Sequence, residues 1–288
     1  MTDTRPTLEQ VRRWFAEDLR VTCHLRDERV VEAFAAVPRE GFVGPGPWRI
    51  RHHIDGYWTT PDADPRRLYH NVLVALDESR GLNTGEPGLW ARHFDGLAIA
   101  PGSRVLQIGA GAGYFTAILA ELAGTNGRVD GIEIDATLAA TAERNLTAWP
   151  TAHIHAADAS QPLDSSLGGQ WDVIVAFAGA TTPLGWWLDA LADRGRLLLP
   201  MTSGWERGGF MLRLERKGGG LSARSAGWVG FYPCAGARNE ADAAALGRAL
   251  DDRAGQAAVR RLRRDPHDAD DSCWLHGDGW CLSKHDLH

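Results

Sequence analysis

The sequence has few of the features that mark secreted, membrane-bound or nucleic-acid-binding proteins. It holds only four cysteines in 288 residues, and Cys23, Cys234, Cys273 and Cys281 are too scattered to suggest a disulfide framework. No signal peptide opens the chain, and no apolar run approaches the length of a membrane span. The net charge of -6 provides no general basic field for nucleic acid. We therefore expect a cytoplasmic protein that binds neither membranes nor nucleic acid.

The composition, 44% hydrophobic and 24% charged, is that of a globular protein. From Arg104, strand patterns alternate with helix patterns, as expected for a parallel sheet with helices on both faces. Two further strand patterns, 210–215 and 224–231, flank a Gly-rich turn and predict an antiparallel hairpin at the sheet edge. We predict an α/β fold, a doubly wound Rossmann-like sheet of seven mostly parallel strands with that edge hairpin. The predicted regions are an N-terminal helical and acceptor-loop region (1–98), a core (99–235) and a C-terminal extension (236–288).

A glycine loop follows the first strand of the core, in the run Val105-Leu-Gln-Ile-Gly-Ala-Gly-Ala-Gly-Tyr114. A dinucleotide fingerprint needs a third glycine in G-x-G-x-x-G, and Tyr114 stands where that pattern would continue. The loop fits S-adenosylmethionine better, because this cofactor has no pyrophosphate to bind. Glu133, at the end of the next strand, can accept hydrogen bonds from two ribose hydroxyls. The predicted cofactor contacts of this region are Gly109, Ala110, Gly111, Gly113, Tyr114 and Glu133.

Two later segments are expected at the same carboxyl edge of the sheet. Asp158 and Ala159 follow the third strand, and the Asp158 carboxylate can accept a hydrogen bond from an adenine amino group. Capping a helix is nearly as good an explanation for Asp158. The segment 177–183 follows the fourth strand, and its small residues leave room for the methionine end and the methyl acceptor.

The core resembles a class I S-adenosylmethionine-dependent methyltransferase, and more narrowly protein-L-isoaspartate O-methyltransferase. The glycine loop carries this resemblance together with Val30-Val-Glu-Ala-Phe-Ala-Ala-Val-Pro-Arg-Glu-Gly-Phe-Val43, Gly131-Ile-Glu-Ile-Asp135, Gly195-Arg-Leu-Leu-Leu-Pro200 and Val229-Gly-Phe-Tyr-Pro233. It covers roughly residues 8–235. The resemblance implies methylation of a carboxylate in a peptide or protein.

The acceptor region departs from that family's pattern. The family carries Thr-Ile-Ser-Gln-Pro over its active site, whereas this chain reads Asn83-Thr-Gly-Glu-Pro87. Gly85 stands at the serine position and Glu86 at the glutamine position, so we expect different acceptor contacts and a dedicated peptide or protein substrate. The predicted substrate-binding residues are Asn83, Thr84, Gly85, Glu86, Tyr57 and Trp58.

No catalytic residue is assigned from the sequence. A carboxylate acceptor is already anionic and needs no general base, whereas a hydroxyl or amine acceptor usually does. His52, His53, His70 and His93 lie upstream and could reach the cleft, but each alone is more often a loop or core histidine. The alternatives are a small-molecule methyltransferase using the same cofactor site and a non-catalytic cofactor-binding module.

The C-terminal extension has two features of its own. Residues 240–263 predict a helix, whose solvated face would hold the basic run Arg260–Arg264. Cys273, His276, Cys281 and His285 have the spacing of a small zinc knuckle, but the mixed ligand order is unusual. We therefore assign no metal site from the sequence and keep the knuckle as an alternative.

Overall fold

The computed structural model describes residues 5–52, 56–163, 169–204 and 207–286. Two 3-10 helices lie at Arg39–Phe42 and Pro65–Leu68. The α-helices are α1 (Leu8–Thr22), α2 (Glu28–Ala36), α3 (Pro87–Leu97), α4 (Tyr114–Ala123), α5 (Ala136–Asn145), α6 (Gly185–Asp189), α7 (Glu240–Ala249) and α8 (Arg253–Ala258). The strands are β1 (Arg49–His52), β2 (Gly56–Thr59), β3 (Leu73–Asp77), β4 (Leu82–Asn83), β5 (Arg104–Ile108), β6 (Arg128–Glu133), β7 (Ala152–Ala156), β8 (Trp171–Ala176), β9 (Leu191–Gly204), β10 (Gly208–Lys217), β11 (Gly220–Val229), β12 (Arg261–Arg263), β13 (Cys273–Gly277) and β14 (Trp280–Ser283).

The chain divides into two compact units. The first unit is Met1–Ser103 with Ala110–Ala156, and the second is Arg104–Gly109 with Ala157–His288. None of the helices in the described part of the chain has both the length and the apolar character that a bilayer crossing requires. The division into 1–98, 99–235 and 236–288 stays a prediction.

The first unit contains α1 to α5, an antiparallel sheet in the order β2-β1-β3-β4, and the parallel pair β6–β7. Its first helix begins at a capping box: the Thr7 hydroxyl accepts from the Gln10 amide, and the Gln10 side chain accepts from the Thr7 amide. α4 is apolar almost all round, and nine of its residues are buried. The strands β1 and β2 form an antiparallel pair that begins with Arg49 opposite Thr59.

In its described residues, the second unit contains eight strands in the order β13-β14-β12-β11-β10-β9-β8-β5. The pairs β5–β8 and β8–β9 are parallel, and the pairs from β9 to β13 are antiparallel. The expected hairpin is present as β10–β11, with Lys217 opposite Gly220. The prediction of seven mostly parallel strands with this hairpin at the edge was wrong, because β12, β14 and β13 continue the sheet beyond β11.

The predicted helix over 240–263 is also corrected. The chain leaves α7 at Leu250, and Asp252 caps a second short helix, α8, by accepting from the Gly255 amide. The basic run lies in and beside β12, not on a helix face, and Leu262 pairs with Leu221 of β11 and Leu282 of β14. The alternation of Arg261, Leu262 and Arg263 suits a short strand that buries its leucine.

A buried carboxylate in β6, that of Asp130, contributes to the stability of the first unit in a way that depends on pH. The Asp130 side chain accepts from Arg128 at 2.8 Å and contacts Nε2 of His155 at 2.9 Å. Burial alone would raise the pKa of Asp130, but Arg128 and His155 hold it below its usual value. Its stabilisation is therefore present above the unfolded pKa of about 3.9 and is lost as the pH falls through the lower folded pKa.

We predict that Asp130→Asn lowers the free energy of unfolding near neutral pH by about 1–3 kcal/mol, the value of hydrogen bonds to a charged group. The difference from the wild type should shrink below about pH 4. Urea unfolding at several pH values measures it. Asp251→Asn, which removes an exposed carboxylate paired with Arg207, is the control and should change little. A loss for Asp130→Asn that is independent of pH would contradict this account.

Candidate methyltransferase site

The glycine loop turns sharply into α4 in the first unit. Gly113 is the residue before the helix, and its φ of 94° lies in the left-handed region. A Cβ on Gly113 would also lie 3.2 Å from the Leu146 side chain. A side chain here would therefore meet both backbone strain and a steric contact. The turn brings the glycine loop directly to the N-terminus of α4, where backbone amides can face a ligand, as a nucleotide-binding loop requires.

Glu133 holds the glycine loop at the end of β6. The residue is 8% exposed, and its carboxylate accepts hydrogen bonds from the Gly111 amide at 2.7 Å and the Asp135 amide at 3.1 Å. Each carboxylate oxygen has a further lone pair, so Glu133 can also accept from two vicinal hydroxyls. Asp135 caps α5 and forms an ion pair with Arg80, which lies between β3 and β4.

The Tyr114 side chain lies in the core of the first unit, where its ring contacts those of Phe34, Phe42 and Phe115. Burial raises the pKa of Tyr114 to about 12, so the phenol is neutral. Its ring therefore has a packing role, and a cofactor contact from this residue would come from its backbone.

Asp158 and Ala159 lie in the second unit, in the turn after the end of β7. The Asp158 side chain accepts from the Ser160 amide at 2.8 Å and thus stabilises a turn, where a helix cap was the alternative expectation. The Ala159 carbonyl accepts from the indoles of Trp186 and Trp187 at 3.1 and 3.0 Å. Burial and the Asp158 charge raise the pKa of the nearby Cys234 thiol to about 11, so this thiol stays protonated.

The segment 177–183, also in the second unit, pairs with the chain that follows β11. Gly179 donates to the Tyr232 carbonyl at 2.6 Å and accepts from the Cys234 amide at 2.8 Å. A Cβ on Gly179 would lie 2.2 Å from the Thr202 hydroxyl. The small residues of this segment therefore permit close packing of two chain segments.

The acceptor segment Asn83–Pro87 joins β4 to α3 in the first unit. Gly85 has a φ of 78°, and a Cβ there would lie 3.0 Å from Nε1 of Trp90 and 3.1 Å from Cε2 of Phe115. The glycine at the family's serine position is thus required by the local packing. Glu86 accepts from the Asn71 side chain at 2.7 Å, which gives its carboxylate a partner within the protein.

Arg39 holds this segment in place through hydrogen bonds. Its buried guanidinium donates to the carbonyls of Leu68, His70 and Val72 and to the Thr84 hydroxyl at 3.2 Å. Thr84 is itself 8% exposed and also accepts from the Val74 amide. Arg39 belongs to the Val-Pro-Arg-Glu run that carried the family resemblance, but the sequence alone gave it no role.

The remaining candidates are dispersed over the first unit. Tyr57 and Trp58 are neighbours in β2 and so point to opposite faces of that strand; Tyr57 is half-buried and Trp58 is 47% exposed. His93 is buried in α3 beside Trp90, whereas His70 is exposed. His53 and the side chain of His52 lie outside the described residues.

Comparisons with known proteins agree with these features. The family model described as protein-L-isoaspartate(D-aspartate) O-methyltransferase matches residues 63–239. The protein-L-isoaspartate O-methyltransferase of Methylorubrum extorquens (strain PA1) is 31% identical over 245 residues, which cover 79% of this chain and 90% of the relative. The enzyme of the same name from Roseiflexus sp. (strain RS-1) is 28% identical over 221 residues, or 76% of this chain and 89% of the relative.

The fold is also that of a solved member. A Plasmodium falciparum structure described as a protein-L-isoaspartate O-methyltransferase, in complex with S-adenosyl-L-homocysteine, aligns with a TM-score of 0.61 at 20% identity. The alignment covers 78% of this chain and 98% of that one. The chain belongs to the protein-L-isoaspartate O-methyltransferase family and is an S-adenosylmethionine-dependent methyltransferase.

Proposed function

We propose that this methyltransferase transfers the methyl group of S-adenosylmethionine to the free carboxylate of an isoaspartyl-type residue in a peptide or protein. The observation that carries the proposal is the packing of the acceptor segment on the cofactor loop within one unit. Gly85 lies against Phe115 in the first turn of α4, and Gly111 lies against Leu76 of β3, which leads into that segment. Methyl acceptor and methyl donor would therefore meet on a single packed surface.

The cofactor would be held mainly by backbone amides and two carboxylates. Glu133 would accept from the ribose hydroxyls, and Asp158 from the adenine amino group. The cofactor-binding residues we propose are Gly109, Ala110, Gly111, Gly113, Tyr114, Glu133, Asp158 and Ala159.

The chemistry asks little of the protein beyond alignment. A carboxylate oxygen attacks the methyl carbon in line with the sulfur; the new O–C bond forms as the S–C bond breaks, and no proton has to move. Two side chains near the glycine loop that could in principle act as a general base are instead buried in packing contacts, which is compatible with a reaction that needs no base. His93 is packed against Trp90, and Tyr114 is a buried neutral phenol, so neither is poised as a general base.

We further propose that the acceptor is a dedicated peptide or protein. The family's serine hydroxyl is replaced by Gly85, which offers only backbone, and the Thr84 hydroxyl is engaged by Arg39. Recognition would then depend on Asn83, Glu86 and the β2 residues Tyr57 and Trp58. A substrate with a cationic or amide group could use Glu86 by displacing Asn71.

We predict that Glu133→Gln weakens binding of S-adenosylhomocysteine roughly tenfold to a hundredfold, because hydrogen bonds to a charged acceptor are worth about 1.5–3 kcal/mol. The carboxamide also turns one acceptor oxygen into a donor that cannot pair with the amides of Gly111 and Asp135. Titration calorimetry measures the affinity. Glu143→Gln, on the exposed face of α5, is the control; equal affinities in the two variants would contradict the role of Glu133.

We predict that Gly85→Ser, which restores the family residue, destabilises the protein by about 1–3 kcal/mol and does not raise activity on generic isoaspartyl peptides. Gly218→Ser is the matched control, since Gly218 also has a positive φ, of 59°, but nothing lies within 4 Å of its Cβ position. Urea unfolding measures the loss of stability in each variant. The backbone strain is common to both, so the difference between the two losses reports the contact with Trp90. A larger loss at Gly218 than at Gly85 would overturn the packing argument.

The proposed function is tested by incubation with S-adenosylmethionine labelled in its methyl group. We predict a base-labile methyl ester on peptide acceptors, with weak turnover of generic isoaspartyl peptides, and loss of the product in Glu133→Gln. A base-stable product, or transfer only to small molecules, would contradict carboxylate methylation. Robust turnover of generic isoaspartyl peptides would leave carboxylate methylation standing and remove the dedicated substrate.

A further inference from the structure

Four potential metal ligands meet in the C-terminal part of the second unit. The ligand atoms of His267, Cys273, His276 and Cys281 all lie within 4.8 Å of one another. Two thiols and two imidazoles are the donor set of a structural zinc site, since thiolates and imidazoles both bind Zn²⁺ well. We propose that these four side chains bind one structural Zn²⁺ ion.

The distances fit a tetrahedral ion. With bonds of about 2.3 Å to sulfur and 2.0–2.1 Å to nitrogen, neighbouring sulfur and nitrogen ligands should lie about 3.6 Å apart. Sγ of Cys273 lies 3.5 Å from Nε2 of His267 and 3.7 Å from Nδ1 of His276. A hydrogen bond between a thiol and an imidazole would explain one such short distance. It would not explain why four ligand atoms converge on one point.

The backbone of the β13–β14 hairpin arranges three of these ligands. His276 pairs directly with Cys281, so the two side chains lie on the same face. Cys273 is three residues before His276 and would face the other way in a regular strand. The ladder shifts register between Cys273 and Leu275, which puts Cys273 opposite Ser283 and so on the face of Cys281. The irregularity thus brings the third ligand to the site.

The fourth ligand is oriented as a metal-bound histidine usually is. Nδ1 of His267 lies 2.7 Å from the Asp265 carbonyl, which can only accept, so the ring proton is on Nδ1 and the lone pair of Nε2 faces Cys273. Asp265 is itself held by Arg263 at 2.6 Å. His285, the ligand suggested by sequence spacing, is not among the four clustered residues; its backbone amide donates to the Ser283 hydroxyl.

The site is closed and therefore structural. All four positions of a tetrahedral ion would be taken by protein atoms, which leaves none for a substrate or a water. Cys281 is 0% exposed, and a metal would satisfy its thiolate without water. The ion would fasten the loop after β12, which carries His267, to the hairpin that ends the sheet.

The first test purifies the full-length protein without a chelator and measures its metal content by inductively coupled plasma mass spectrometry. We expect one zinc per chain. Replacement by Co²⁺ should give the intense visible bands of tetrahedral cobalt and a thiolate-to-cobalt charge-transfer band. Less than a tenth of an equivalent of zinc, even after zinc is supplied during expression, or a Cys273–Cys281 disulfide in its place, would overturn the proposal.

The second test separates the structural cluster from the sequence spacing. His267→Ala should reduce the zinc content at least tenfold, whereas His285→Ala should retain one equivalent; Cys234→Ala is the control for a thiol outside the cluster. If His267→Ala does not fold, cobalt titration of the wild type and of His285→Ala still decides, since both should give the same spectrum. Loss of metal in His285→Ala with retention in His267→Ala would contradict the site. Methyl transfer is not a readout here, so the result is independent of the proposed function.

Discussion

The acceptor segment Asn83–Pro87 in the first unit depends on the hydrogen bonds that the guanidinium of Arg39 donates. A buried cation without a carboxylate partner is costly unless its N–H groups find acceptors. Arg39 is 0% exposed, and burial lowers its pKa, yet it donates to three carbonyls in residues 68–72 and to Thr84. Those acceptors lie before β3 and after β4. One cation therefore holds both ends of the hairpin that leads into the acceptor segment.

This arrangement separates the residues for the methyl donor from those for the methyl acceptor. On the donor side proposed above, backbone amides and Glu133 would hold the cofactor, a design that any class of acceptor can share. On the acceptor side, the Thr84 hydroxyl is engaged by Arg39 and the Glu86 carboxylate by Asn71, so a substrate that uses either group would have to displace its partner. A change of substrate can then arise at Asn83–Pro87 without disturbing the donor side, which explains how a family core tolerates a rewritten acceptor segment.

Local patterns sufficed for the elements around the glycine loop. The alternation of strand and helix patterns expected from Arg104 agrees with β5, α4, β6 and β8, because apolar runs and glycines act over a few residues. The errors concern long-range pairing. Nothing local distinguishes a short helix end from β12, whose partners lie 40 residues upstream and 20 downstream. His267 was missed for the same reason, since a register shift in β13 and a turn at Asp265 bring it to Cys273.

The C-terminal strands cover part of the edge at which the hairpin would otherwise end the sheet. Without them, the edge of β11 that faces away from β10 would have no strand partner, and such an edge is a template for pairing with another chain. β12 covers β11 only at Leu221 and Ser222, and the order then passes through β14 to the five-residue β13. A terminal strand that is short and irregular in register is a poor template for further pairing. Since such short strands have few hydrogen bonds of their own, a cross-link between β13, β14 and the loop at His267 supplies what their pairing alone does not.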